Sequence, residues 1–165
     1  MEGRAYEWFT ATISGMGREK GLSYMRALAA QKPGLRIGRT LLAQLVAAGE
    51  FNGTLTAYTH NFETLKASGA PVEWVALPPT FANLHPVGLN AKAPHPNAGK
   101  LFIDFMLSQK GQELVRALKR IPDRVDTLPD PPNLLEGITP AFTDPEIYDD
   151  FDRYIKLFQE IFEVK

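Results

Sequence analysis

The sequence has no cysteine among its 165 residues, which excludes disulfide bonds, thiolate zinc sites and cysteine nucleophiles. It also has no apolar run near the roughly 18 residues that a membrane-spanning helix needs, and residues 1–6 lack the apolar core of a signal peptide. Neither sign of charge is in excess, because 18 basic and 19 acidic residues give a net charge of −1. A surface that binds nucleic acid is therefore not expected. These absences fit a mature or truncated globular chain and leave its compartment open.

The sequence motifs of common enzymes are missing as well. There is no G-x-S-x-G, Walker loop, H-E-x-x-H or G-x-G-x-x-G, and Ser14 and Ser68 lie beside glycines without a paired histidine. The acidic residues between Asp144 and Asp152 suit the first turn of a helix, where the helix dipole stabilises carboxylates. Binding is thus favoured over catalysis. A hydrolase or transferase that uses His60 with a nearby serine or aspartate is the enzymatic alternative.

Apolar residues repeat at helical spacing in several segments that alternate with short β-favouring segments. Helices are predicted at 6–16, 22–29, 41–46 and 61–69, then from Pro96 and from Ser108. Strands are predicted at 35–37, 53–58, 72–76 and 87–89. Thr40 is predicted to cap the third helix and Gly49 to close it. This alternation predicts an α/β fold with at least partly parallel strands, since parallel strands need helical crossovers.

The final segment is predicted to be an amphipathic helix. Asp144 suits the N-cap and Pro145 the first helical position. An apolar stripe follows at helical spacing. It consists of Ile147, Phe151, Ile155, Phe158 and Phe162.

Three strand-to-helix junctions carry polar side chains that could contact a ligand. In α/β proteins such junctions lie where unpaired N–H groups of helix starts favour anions, although capping alone would also explain polar residues there. A guanidinium there can bind an oxyanion through two parallel hydrogen bonds. The candidate ligand-binding residues are Gly3, Arg4, Ala5, Arg39, Thr40, Tyr58, Thr59, His60 and Asn61.

His60 is the histidine of most interest because it follows a tyrosine at a predicted strand end, where it could ligate a metal or donate to an anion. His85 and His95 each precede a proline and are predicted to be extended surface residues. The spacing of the three histidines forms no metal motif. His60 is therefore the one candidate metal ligand, and a lone histidine usually ligates nothing.

Four stretches of the chain form a distinctive series: 5–9 (AYEWF), 38–50 (GRTLLAQLVAAGE), 93–105 (APHPNAGKLFIDF) and 108–113 (SQKGQE). A proline-rich tail that ends in an aromatic helix follows them. These stretches and their order resemble the family 1 extracellular solute-binding proteins of bacteria, in particular those of the ferric-iron type.

The resemblance implies a type II periplasmic-binding-protein fold, in which two three-layer α/β/α lobes close on a ligand. Residues 1–82 and 121–165 would form the C-terminal lobe, while 86–120 would return to an N-terminal lobe that is absent from the chain. A helix with Leu101, Phe102 and Phe105 on one face would then lack its sheet. Since monomers rarely expose such a patch, we expect self-association there.

The resemblance also implies the function: capture of a small solute, outside the cytoplasm, for an ABC permease. In ferric-binding members two adjacent tyrosines ligate iron, and those positions are Thr59 and His60 here, with Tyr58 one place early. A ferric ion or chelate thus stands beside an anion such as a phosphate or carboxylate compound as the expected ligand, and no resident cofactor is expected. A ligand-sensing domain of a regulator with the same fold is the alternative.

Overall fold

The structure is a computed structural model that describes residues 3–142 and 149–164. The chain divides into two compact units. Unit 1 comprises Met1–Ala57, Val75–Asn83 and Thr139–Lys165, and unit 2 comprises Tyr58–Trp74 and Leu84–Ile138. The elements in chain order are α1 (Gly3–Met16), α2 (Arg18–Ala30), α3 (Arg39–Ala47), α4 (Thr59–Ala67), β1 (Phe81–Ala82), α5 (Pro96–Leu107), α6 (Gln109–Ala117), β2 (Ala141–Phe142) and α7 (Phe151–Phe162). The assignment of segments to an N-terminal and a C-terminal lobe stays a prediction.

The core of unit 1 lies where α1, α2 and α7 pack together. Its buried members are Phe9 and Ile13 on α1, Met25 on α2 and Phe158 on α7. The rings of Phe9 and Phe158 meet edge to face with 5.4 Å between centroids, an arrangement that the ring quadrupoles favour. The two first helices approach so closely that a Cβ on Gly21 would lie 2.5 Å from the Cα of Ile13. The apolar spacing that predicts these helices therefore marks the faces that are buried.

The helix ends test the predicted caps. Gly49 follows the last turn of α3, as predicted. Its φ of 77° is left-handed, a conformation that glycine adopts without strain. The predicted cap at Thr40 is wrong. Gly38 is the N-cap residue, with no side-chain cap bond, so α3 starts two residues earlier than a cap at Thr40 requires. Likewise α4 begins at Thr59 rather than near Asn61.

The four predicted strands are wrong within the described residues. Segments 35–37, 53–58, 72–76 and 87–89 have irregular backbone, because β-favouring composition does not itself supply a neighbouring strand to pair with. The one sheet described is formed by β1 and β2, which pair in parallel with Phe81 opposite Ala141. Helices with a small parallel sheet are compatible with an α/β lobe, while the three-layer type II arrangement stays a prediction.

Unit 2 contains α4, α5 and α6. Ser108 caps α6 as predicted, since its Oγ accepts a hydrogen bond from the Gly111 N–H at 3.1 Å. The Gln112 amide fastens the segment after α6 to the end of α5. Its Nε2 donates to the Met106 carbonyl at 2.8 Å, and its Oε1 accepts from the Asp123 N–H at 2.6 Å. The α5–α6 corner is therefore held by side-chain hydrogen bonds as well as by apolar contact.

One face of α5 is strongly exposed. None of its residues is buried, and Leu101 and Phe102 are 70% and 57% exposed, with Phe105 at 39%. Apolar side chains on an exposed face are the pattern of a contact surface. The expectation of self-association through this face stays a prediction.

The last helix is described from Phe151, and Phe158 on its stripe is buried against α1. The predicted start at Asp144 and Pro145 lies outside the described residues. Across 3–142 and 149–164, no helix combines the length and apolar character needed to cross a membrane.

Candidate functional site

The predicted ligand-binding residues fall in both units. Gly3, Arg4 and Ala5 form the first turn of α1, which begins three residues before the helix predicted at 6–16. Arg39 and Thr40 open α3 in the same unit. Residues 58–61 belong to unit 2.

Arg39 lies at the first position of α3, with its side chain 11% exposed. Its Nη2 is 4.0 Å from Oε2 of Glu7 on α1, the outer limit of an ion pair. The same carboxylate oxygen accepts a hydrogen bond at 3.0 Å from Nδ2 of Asn83. Neither Glu7 nor Asn83 was predicted to contribute to the site, because a contact between residues so far apart in the sequence leaves no pattern in it. Thr40 is exposed on the surface beside them.

The Arg39 guanidinium is thus held among polar groups rather than extended into solvent. A contact of 4.0 Å at a partly exposed position is a weak restraint. The chemistry of this group remains that of a cation with several donors, which suits a carboxylate or phosphate oxygen. The predicted ligand contact at Arg39 is consistent with this placement and stays a prediction.

In unit 2, residues 58–61 form the start of α4. Tyr58 is the N-cap residue with an extended backbone, and no side-chain cap bond is made. The rings of Tyr58 and His60 stack, with 5.2 Å between centroids and 20° between planes. Tyr58 does not end a strand as predicted, because 53–58 has irregular backbone. The stack fixes the plane of the His60 imidazole against a phenol ring.

The pKa of His60 is lowered from its ordinary value of 6.5. Burial is the largest cause, and the positive charges of Arg120 and His85 act in the same direction. Both groups belong to unit 2, as His60 does. His85 is exposed, as predicted, yet its influence on His60 was not predicted. Arg120 lies three residues after the end of α6, and its influence on His60 was not predicted either.

Asn61, which follows His60, adds a further polar atom. Its Nδ2 is buried and has no hydrogen-bond partner within the described part of the chain. A buried amide donor without an acceptor costs free energy, about 1–3 kcal/mol. An acceptor supplied by a ligand would remove that cost.

The predicted metal role of His60 has no supporting ligand set in the described segments. No group of three or more histidine, aspartate or glutamate side chains lies close enough together there to hold a metal ion. The groups that act on His60 are cations, which repel a metal ion rather than bind it. A metal ligand at His60 stays a prediction.

An open hollow of about 740 Å³ lies elsewhere in unit 1, along residues 16–27 where α1 meets α2. None of the predicted ligand-binding residues lines it.

Comparison with known proteins gives one match. No curated protein matches the chain, and no solved structure matches it either. The model of one family, described as bacterial extracellular solute-binding protein, matches residues 6–117. The matched range contains Arg39 and residues 58–61 and ends just before Arg120. Because it spans more than half of the sequence, the chain belongs to the bacterial extracellular solute-binding protein family.

Proposed function

We propose that the chain is the solute-binding component of an ABC importer that captures a small anionic solute in the periplasm or at the cell exterior. The observation that carries the proposal is the family match over residues 6–117. Proteins of this family capture solutes and are generally not enzymes. The proposal goes beyond the family match in three respects: delivery to a permease, the compartment and the charge of the solute.

An anionic solute is favoured by the side chains at the two helix starts. Arg39 offers a guanidinium at the start of α3, and His60 offers an imidazole at the start of α4. Charge-assisted hydrogen bonds from a guanidinium to carboxylate or phosphate are short and strong. A cationic solute would meet repulsion at Arg39.

Ferric iron as a bare ion is the less favoured ligand. The adjacent tyrosine pair expected of ferric-binding members is replaced by Thr59 and His60. One phenol, that of Tyr58, is engaged in a ring stack with His60. Iron would fit better as a chelate whose periphery carries carboxylates, since those groups present the same oxyanion chemistry.

The proposal is tested by thermal shift of the full chain against a panel of solutes. The panel contains phosphate, phosphonates, small carboxylates, ferric chelates and, as cationic controls, polyamines. A solute present at 100 times its Kd adds about 2.7 kcal/mol of stability. For a chain of this length that raises Tm by roughly 5–10 °C. We expect anionic members of the panel to stabilise the chain and polyamines to leave Tm unchanged.

Arg39→Ala provides the matched test of the site in unit 1. This variant should reduce the shift caused by the best anionic solute, whereas Arg26→Ala, at an exposed arginine of α2, should keep it. Stabilisation by polyamines alone would contradict the anionic assignment. A panel in which no solute of either charge stabilises the chain at millimolar concentration would contradict solute capture itself.

A further inference from the structure

The loop that follows α3 contains an asparagine directly before a glycine. Asn52 and Gly53 are both exposed and lie in irregular backbone. Within the described part of the chain, neither residue makes a hydrogen bond. A Cβ built on Gly53 would meet nothing within 4 Å, so the space around this residue is open. The side-chain amide of Asn52 and the backbone nitrogen of Gly53 are therefore free to approach each other.

The other asparagines of the chain lack this freedom. Asn61 and Asn97 lie within α4 and α5, where the hydrogen-bonded helix restricts rotation of the backbone. Asn83 donates a side-chain hydrogen bond to a carboxylate at 3.0 Å, and the side chain of Asn90 accepts one from a backbone N–H at 2.8 Å. Asn133 precedes a leucine rather than a glycine. Asn52 is thus distinguished by its surroundings as well as by its neighbour in the sequence.

An asparagine with this freedom can react with its own main chain. The backbone nitrogen of Gly53 attacks the side-chain carbonyl carbon of Asn52, and the new C–N bond closes a cyclic imide. The side-chain nitrogen leaves as ammonia, which takes up the proton of the attacking nitrogen. Water then opens the imide, so that one amide and one water become one carboxylate and one ammonium ion. Glycine favours the attack because it has no side chain to block it and a wide range of backbone conformations.

We propose that Asn52 is a site of spontaneous deamidation, with water as the co-reactant. Asparagine is one of the thermolabile residues of proteins, and the loop at 52–53 combines exposure, open space and a following glycine. Opening of the imide at the side-chain carbonyl gives aspartate. Opening at the backbone carbonyl gives isoaspartate, in which the main chain runs through the former side chain. This inference does not depend on the proposed function.

The position of Asn52 gives the modification a structural target. The preceding residue, Phe51, packs against the segment that leads into α3. A Cβ on Gly34 would lie 2.9 Å from the Phe51 ring, and the Arg36 guanidinium lies 5.5 Å from the centroid of that ring. Phe51 therefore joins the segment after α3 to the segment before it. Isoaspartate lengthens the main chain by one carbon directly after Phe51, so we expect it to loosen this contact.

The test is peptide-resolved mass spectrometry of the folded full chain during incubation at 37 °C. Conversion of Asn52 should be severalfold faster than conversion of Asn90, and faster at pH 8 than at pH 6, because the attacking nitrogen must lose its proton. Gly53→Ala should slow the conversion severalfold. This variant should keep the Tm of the parent chain, since Gly53 has room for a Cβ and no left-handed backbone.

Ala98→Gly is the matched control that separates structure from sequence. It places a glycine after Asn97 within α5, at two positions that are exposed. In the folded variant, Asn97 should convert severalfold more slowly than Asn52, because the helix restricts its backbone. In concentrated urea the two asparagines should convert at similar rates, since that restriction is gone.

A second readout follows the contact between the two segments that flank α3. The isoaspartate form carries one more negative charge than the parent chain and can be separated from it by anion exchange. Hydrogen–deuterium exchange of residues 34–42 should be faster in this form, including the Leu42 amide that donates to the Gly38 carbonyl at 3.0 Å in the first turn of α3. Exchange of α6 in unit 2 should be unchanged.

Two results would overturn the inference. One is conversion of Asn52 that is no faster than that of Asn90 or that is unchanged in Gly53→Ala. The other is equal conversion of Asn52 and Asn97 in folded Ala98→Gly, which would mean that the surroundings of Asn52 have no effect. Unchanged exchange of residues 34–42 in the isoaspartate form would refute the effect on the Phe51 contact.

Discussion

Replacement of Gly21 by alanine should destabilise unit 1, although alanine is the better helix former. Gly21 is the fourth residue of α2 and is buried against α1. A Cβ there would lie 2.5 Å from the Cα and 2.9 Å from the carbonyl oxygen of Ile13. These are backbone atoms, so relief requires the two helices to move apart and to loosen the core around Met25.

The magnitude follows from two opposing effects. Alanine gains about 1 kcal/mol over glycine in a helix interior. Overpacking costs about 1–3 kcal/mol, and a clash with backbone belongs at the upper end of that range. The net loss should be about 2 kcal/mol, or a fall in Tm of roughly 4–8 °C for a chain of this length.

Gly99→Ala is the matched control because Gly99 is the fourth residue of α5. Its added Cβ would meet Cδ1 of Leu89, the end of a flexible side chain rather than backbone. A change of rotamer can relieve this contact at a cost of about 1 kcal/mol, which offsets the gain in helix propensity. Its Tm should therefore stay close to that of the parent chain.

The assay is thermal and urea unfolding followed by circular dichroism at 222 nm. The reasoning fails if Gly21→Ala is as stable as Gly99→Ala or more stable than the parent chain. That result would mean that α1 and α2 can separate without loss of packing. A fall of stability in both variants would instead mean that glycine is needed in these helices for reasons other than close approach.

Three further predictions concern unit 2. Trp74→Phe removes the indole donor that bonds Oε1 of the buried Glu63 at 2.7 Å, so the free energy of unfolding measured in urea should fall by about 1–2 kcal/mol; an unchanged urea midpoint would contradict a role for this bond. Hydrogen bonds from Lys66 hold the pKa of Glu73 below its ordinary 4.5, so the stabilisation is present above pH 4.5 and is lost as pH falls below it. Glu73→Gln should flatten the decline in Tm between pH 5 and pH 3, and identical pH profiles would refute this. Finally, the chain should sediment as an oligomer at micromolar concentration and Phe102→Lys as a monomer, because Phe102 is 57% exposed; a monomeric parent chain would exclude association through α5.

The helices could be predicted from the sequence because their signals are local. The apolar repeat around Phe9 and Ile13 and the hydroxyl of Ser108 act within one or two turns of their own helix. Pairing of strands is not local. Segment 72–76 has β-favouring residues, yet in the structure its backbone pairs with no strand of the described residues. Its Trp74 side chain instead donates a hydrogen bond to Glu63 on α4.

The candidate site could be predicted in part for the same reason. Arg39 and His60 are recognisable because helix starts with polar residues are visible in the sequence. Their surroundings are not, since the hydrogen bond from Asn83 to Glu7 joins residues 76 positions apart. Such meetings depend on tertiary packing, for which a single sequence carries no periodic signal.

The short parallel ladder between β1 and β2 has a consequence for the order in which native structure forms. It joins Phe81 to Ala141, so closing it spans about sixty residues, yet it has only two residue pairs to offset the entropy of that closure. The backbone amide of Ala141, which donates to the Thr80 carbonyl at 2.8 Å, should thus exchange with deuterium well before the amides of α1. The ladder is expected to form last and to open first.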